Sequence, residues 1–245
     1  MSLGHCFRLL LLGFLTSLPA HAMSGINLPG VSRNLTTEES IRVGETILNE
    51  IQPYDPLSAS QLLNRLESGL IKVWVREGYG FTNPITGTIA IQESFLNPHG
   101  TFYYFRKELY AEQQAHKPYP LAPMIPFVRP HLPEPMRERA QRMFLASMLV
   151  HENVHCDQGR RRLIVGDIAV LAAAHISSAF GGLDPMEIEA YQKQLEYANL
   201  VRDHLIRGRR MSNLSRDERF SVGIADAMVG IVETYSERYA HVHRR

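Results

Sequence analysis

Residues 134–160 read Glu-Pro-Met-Arg-Glu-Arg-Ala-Gln-Arg-Met-Phe-Leu-Ala-Ser-Met-Leu-Val-His-Glu-Asn-Val-His-Cys-Asp-Gln-Gly-Arg. Met136, Ala140, Phe144, Met148 and Leu149 recur at helical spacing, so this stretch is expected to form a helix with one buried face. His151 and His155 follow at i and i+4, on one face, from where both imidazoles can reach a single metal ion. Glu152 is the next residue round, placed to polarise a water on that metal without ligating it. At this chain's own His and Glu frequencies, His-Glu-x-x-His arises by chance about 0.04 times. Two His and one Glu on a buried stripe are costly unless paired or metal-bound.

A catalytic zinc site takes a third protein ligand and keeps one position open. A third His at the short spacing is absent: Gln158 and Arg161 stand three and six residues after His155. The next helix start, Asp184-Pro185-Met186-Glu187-Ile188-Glu189-Ala190-Tyr191, offers two carboxylates. Asp184 suits the N-cap and Pro185 the first helical position, which puts Glu187 at N3 with a capping hydrogen bond to make. Glu189, about 200° further round the helix, has no such local task and is the favoured third ligand. Glu187, Asp157 and Asp167 are the other candidates. Tyr191 and His175 are candidates for stabilising an oxyanion, with side-chain packing as the plainer reading.

Upstream, Thr36-Thr37-Glu38-Glu39 is a capping-type start for a helix over 36–52, with Ile41, Val43, Ile47, Leu48 and Ile51 near helical spacing. A second helix is expected over 58–69. Strands are expected at 71–75, ended by Gly78 and Gly80, at 86–92 and at 101–105, with a turn at Asn97-Pro98-His99-Gly100. Residues 117–135 hold seven of the 14 prolines and read as an extended connector. Helices then follow over 134–160, 163–180, 184–207 and 215–240. The segment 163–180 is apolar, but Asp167 and His175 interrupt it, so a buried helix fits better than a membrane span. The fold class is therefore α+β: a small N-terminal mixed sheet with helices, then a mainly helical C-terminal half that carries the His-Glu-x-x-His helix.

Residues 1–22 have the plan of a secretory signal: Arg8, the apolar run Leu9 to Leu15, and Pro19-Ala20-His21-Ala22 as a small-residue cleavage site. Cleavage near Ala22 leaves residues 23–245 as one exported domain, periplasmic or secreted. The 26 Lys and Arg and 25 Asp and Glu of the 245 residues become even once Arg8 is removed. Near-neutral charge argues against a nucleic-acid partner, and a 44% hydrophobic composition against wholesale disorder. Of two cysteines only Cys156 stays in the mature chain, which excludes an internal disulfide. Arg160 to Arg162 and Arg207 to Arg210 read as cations near helix C-termini, where they complement the helix dipole.

His151-Glu152-x-x-His155 with a Glu on a downstream helix resembles the gluzincin branch of the zincin metallopeptidases. His-Glu-x-x-His-x-x-Gln with a later Glu-x-Glu-Ala-Tyr is similar to a pattern in exported bacterial zincins. The resemblance covers residues 151 to 191. It implies one zinc ion on His151, His155 and Glu189, Glu152 as general base, and a peptide or protein substrate. It also implies a mixed sheet before the active-site helix, whose edge strand binds extended peptide; 86–92 or 101–105 are the strands available for that part. Many gluzincins place an Asp four residues after the ligand Glu to orient a zinc-bound His. Here that position is Lys193, which leaves open a non-catalytic exported metal-binding or structural protein as the alternative.

Overall fold

In the computed structural model, residues 32–75, 80–83, 86–96, 133–165 and 185–242 are described. The expected signal at 1–22, the turn at 97–100, the strand at 101–105, the Pro-rich connector up to 132 and the stretch 166–180 lie outside them. The described elements run β1 (Ser32–Asn34), α1 (Thr37–Thr46), a π-helical turn (Ile47–Ile51), α2 (Pro56–Glu67), β2 (Ile71–Trp74), β3 (Gly80–Asn83), β4 (Thr88–Gln92), α3 (Glu93–Leu96), α4 (Glu134–Val165), α5 (Pro185–Ile206), a 3-10 turn (Met211–Asn213) and α6 (Arg216–Val242). This is the expected α+β arrangement, a small mixed sheet near the N-terminus followed by a helical C-terminal half.

Local chemistry sets several of these starts. Thr36 caps α1 by accepting from the Glu39 amide at 3.2 Å, and Glu39 accepts from the Thr36 amide at 2.8 Å, a reciprocal box that satisfies two orphan donors. Arg33 of β1 forks onto both oxygens of Glu39 at 2.7 Å and also reaches Glu93 of α3 at 2.8 Å. Asp55 caps α2 through the Ser58 amide at 3.1 Å, with Pro56 at the first helical position. Along α1 and the π-helical turn only part of the expected apolar stripe is inside: Val43, Ile47 and Ile51 are buried, whereas Ile41 and Leu48 face outward.

The sheet order is β1-β2-β4-β3, with β2 parallel to β4 and both outer pairings antiparallel. The register Val73↔Ile91 and Ile71↔Ile89 stacks buried aliphatics on the helix-covered side. Two strands depart from expectation. Gly80 does not end a strand; it opens β3, which pairs with β4 through Thr82↔Ile89. Thr88–Gln92 lies between β2 and β3, so it cannot serve as an edge; among the described residues β3 ends the sheet on that side. Where β3 turns toward β4, Gly87 has φ +68° and its carbonyl accepts from Arg65 of α2 at 2.9 Å.

Ile47, Leu62, Ile71, Ile89, Ile91, Met143, Leu145, Leu149, Tyr197 and Ile224 belong to one buried cluster that joins the sheet to all the long helices. Full burial of each such aliphatic side chain contributes about 1.5–3 kcal/mol. Glu50, 2% exposed in the π-helical turn, is held by Arg139 at 3.2 Å and Arg142 at 3.5 Å, which ties α1 to the first half of α4. α4 is longer than expected and continues through Val165, so Arg160 and Arg161 sit inside it rather than at its end. No helix among the described residues is long and apolar enough to cross a membrane.

Candidate metal centre

The long helix α4 carries His151, Glu152 and His155 on a buried stripe, 7%, 7% and 9% exposed. One turn apart, the rings meet edge to face and their Nε2 atoms are 3.2 Å from each other. Packed against this stripe is α5. Glu187 sends Oε2 to within 3.2 Å of His151 Nε2 and Oε1 to within 3.4 Å of His155 Nε2. Among the described residues, His151, His155 and Glu187 form a group able to hold a metal ion, with donor atoms all within 4.8 Å of one another.

Glu189 is not the third member, and the expectation from capping is corrected here. Its carboxylate instead meets Arg161 and accepts from Gln158 Nε2 at 2.8 Å. Helical phase explains the difference. The inward stripe of α5 is fixed by Ala190, Tyr197, Ala198 and Val201, all buried. At 100° per residue Glu187, Tyr191 and Gln194 share that stripe, and Glu189 points about 200° away from Glu187. Asp184, the residue expected to occupy Glu187 in capping, lies outside the described residues, as do Asp167 and His175. Asp157 faces α2, where it accepts from Gln61 at 3.1 Å.

Two glutamines that the sequence reading leaves without a role complete the surroundings of the rings. Gln194 Oε1 is 3.1 Å from His151 Nδ1, while its amide nitrogen donates to Ser147 Oγ at 2.9 Å. Gln158 Oε1 is 3.0 Å from His155 Nδ1, while its nitrogen donates to the Met186 carbonyl at 2.9 Å and to Glu189. An acceptor oxygen on Nδ1 favours the Nδ1–H form of a neutral ring, in which Nε2, on the Glu187 side, is left to take a proton or a metal ion. Helical spacing carries the signal for both: Gln158 follows His155 by three, and Gln194 follows Glu187 by seven. Lys193 is turned the other way, onto the α2 cap Asp55 at 3.2 Å, so Gln194 takes the place beside His151. Tyr191 packs its ring on His151, with centroids 4.5 Å apart.

Three lone-pair donors that converge in a buried place require a cation. Protons meet that need in part. Burial alone would lower the His155 pKa, but the hydrogen bond to Glu187 and the charges of Glu152 and Glu187 raise it to about 9. Burial would raise the Glu187 carboxyl, and the two imidazoles instead hold it far below the usual carboxylate range. Two imidazoles and one carboxylate also match the donor set that divalent zinc takes, so the residues fit a metal ion.

Glu152 stands beside this group without joining it. Thr82 of β3 donates its hydroxyl to Glu152 Oε2 at 2.6 Å and lies 3.1 Å from the Glu152 carbonyl. Behind it, burial pushes the Cys156 thiol up to about 12. Thr82 is a site residue that sequence pattern does not reveal, because it rides on a four-residue strand that begins with glycine.

Fold and site together define an α+β protein with a buried His-His-Glu group that can hold a metal ion. No protein-family model, curated protein or solved structure matches the chain.

Proposed function

We propose that the chain is an exported, zinc-dependent metallopeptidase. The observation that carries this reading is the convergence of His151, His155 and Glu187 from two helices, with the neighbouring Glu152 carboxylate hydrogen-bonded to Thr82. Among the described residues the group has three protein ligands with a carboxylate nearby, the arrangement of a catalytic rather than a four-ligand structural site. Zinc, when bound, supplies Lewis acidity that makes a water nucleophilic near neutral pH and polarises a carbonyl. Glu152 accepts the proton of the attacking water and passes it to the leaving amine. Thr82 sets which Glu152 oxygen is free for that transfer, and Gln158 and Gln194 hold the imidazoles in the form that presents Nε2. Among the described residues β3 ends the sheet, and that edge suits an extended peptide, which would pair with the strand through its main chain. Residues 1–22, read as a signal, support export.

Metal analysis of the purified protein followed by cleavage of fluorescein-labelled casein tests this. Stoichiometric zinc, chelator-sensitive cleavage, and a Glu152→Gln variant that keeps zinc but loses cleavage are the expected results. Cleavage by Glu152→Gln at the parent rate would overturn the assignment of the base. Stoichiometric zinc with no cleavage would favour the non-catalytic metal-binding alternative.

A further inference from the structure

We infer that Glu189 is a positioning residue for the metal centre, acting on His155 through the side-chain amide of Gln158. The inference rests on the reading of His151, His155 and Glu187 as a metal site. Gln158 is 3% exposed, so each of its polar atoms needs a partner. Its amide can face either way round in shape, and only the partners decide. On one side stand the Met186 carbonyl at 2.9 Å and the Glu189 carboxylate at 2.8 Å, both acceptors only. They require the nitrogen there, which turns Oε1 toward His155 Nδ1 at 3.0 Å. That oxygen requires a proton on Nδ1, and the Nε2 lone pair is thereby left for the metal.

Glu189 supplies the stronger of the two constraints, because a carboxylate accepts more strongly than a carbonyl. Arg161, which pairs with its other oxygen, fixes where that carboxylate sits. Without Glu189, among the described residues only the Met186 carbonyl opposes a turn of the Gln158 amide, and the turned amide would offer N–H to Nδ1 and favour the wrong tautomer. As a contribution to folding the same contact is small: Glu189 is 49% exposed, and exposed ion pairs stabilise by about 0–1 kcal/mol. Metal affinity and fold stability are therefore separable at this residue.

The test is Co2+ titration followed by absorbance, with Zn2+ affinity from competition against a chromophoric chelator, for the parent, Glu189→Ala, Gln158→Leu, the double variant and Glu187→Ala. Glu189→Ala is expected to weaken Co2+ and Zn2+ binding about tenfold, the low end of such outer-partner losses. Its metal-free melting temperature should stay within about 3 °C of the parent. In the Gln158→Leu background, Glu189→Ala should cause no further loss, because its effect passes through that amide. Parent-like affinity in Glu189→Ala, or a full additional loss in the double variant, overturns the relay. A parent that binds no Co2+, or a Glu187→Ala variant that binds as tightly as the parent, overturns the metal reading and the relay with it.

Discussion

Thr82 and Glu152 are joined across the sheet–helix boundary by a 2.6 Å hydrogen bond, 70 residues apart in the chain. Thr82 is 7% exposed, so water does not replace the hydroxyl when it is removed. Thr82→Val keeps the shape and deletes the donor. A hydrogen bond to a charged group is worth about 1.5–3 kcal/mol, so cleavage should slow by about tenfold or more at the step that uses Glu152. Thr82→Ser should retain most of the rate, and zinc content should be unchanged in both. Equal rates for the Val and Ser variants would show that the bond does not serve Glu152.

Metal should stabilise the fold. A ligand at about 100 times its dissociation constant adds about 2.7 kcal/mol, or roughly 5–10 °C of melting temperature for a chain of this size. Thermal scans of metal-free protein with added Zn2+ should show that rise, EDTA should reverse it, and Glu187→Ala should abolish it. An equal rise in Glu187→Ala would place the ion elsewhere.

Acid should erase one stabilising contact at the start of α1. The Arg33 guanidinium, with the Thr36 amide and hydroxyl, overcomes burial and holds Glu39 at about 2, below its ordinary value near 4.5. A depressed carboxyl contributes its stability above the unfolded value and loses it as pH falls toward the folded one. Glu39→Gln should therefore cost up to about 1 kcal/mol near neutrality through the lost charge pairing with Arg33, since Gln can still accept from the Thr36 amide. The gap between parent and variant melting temperatures should close as pH drops from about 5 to about 2. A gap that stays constant across that range would mean the charge of Glu39 is not what matters.

Gly87→Ala should destabilise the β3–β4 turn. The backbone there is left-handed at φ +68°, which costs a residue with a Cβ about 1–2 kcal/mol. The new Cβ would also fall 2.6 Å from Arg65 Nη1, displacing the guanidinium that holds the Gly87 carbonyl and contacts Asn153 at 3.3 Å. A drop of roughly 2–8 °C in melting temperature is expected. An unchanged melting temperature would refute the strain.

The helices were readable because their signals are local. The Thr36–Glu39 box and the stripe from Met136 to Leu149 act within a turn or two and need no partner to be recognised; the Asp55-Pro56 start is as local, yet the expected helix over 58–69 begins two residues after it. β1 and β3 carry no such signal: Ser32-Arg33-Asn34 is polar, and β3 opens on Gly80. They are strands because β2 and β4 offer them backbone partners, a tertiary cause that propensity does not encode. The site divides in the same way. His151, Glu152 and His155 follow from one spacing on one helix, but the third donor depends on which face α5 turns toward α4. Capping chemistry favours Glu189; the phase of Ala190, Tyr197, Ala198 and Val201 favours Glu187, and burying an apolar stripe outweighs one terminal hydrogen bond.

Two of the three donors ride on α4 and the third on α5. A slip of one residue along a helix axis moves a side chain about 1.5 Å, nearly half the 3.2 Å between Glu187 and His151. The group is thus a gauge of how the two helices are aligned. Substitutions distant from the histidines that let α5 slide would weaken any metal binding there before they cost the fold, and an ion, once bound, would act as a clasp against that sliding.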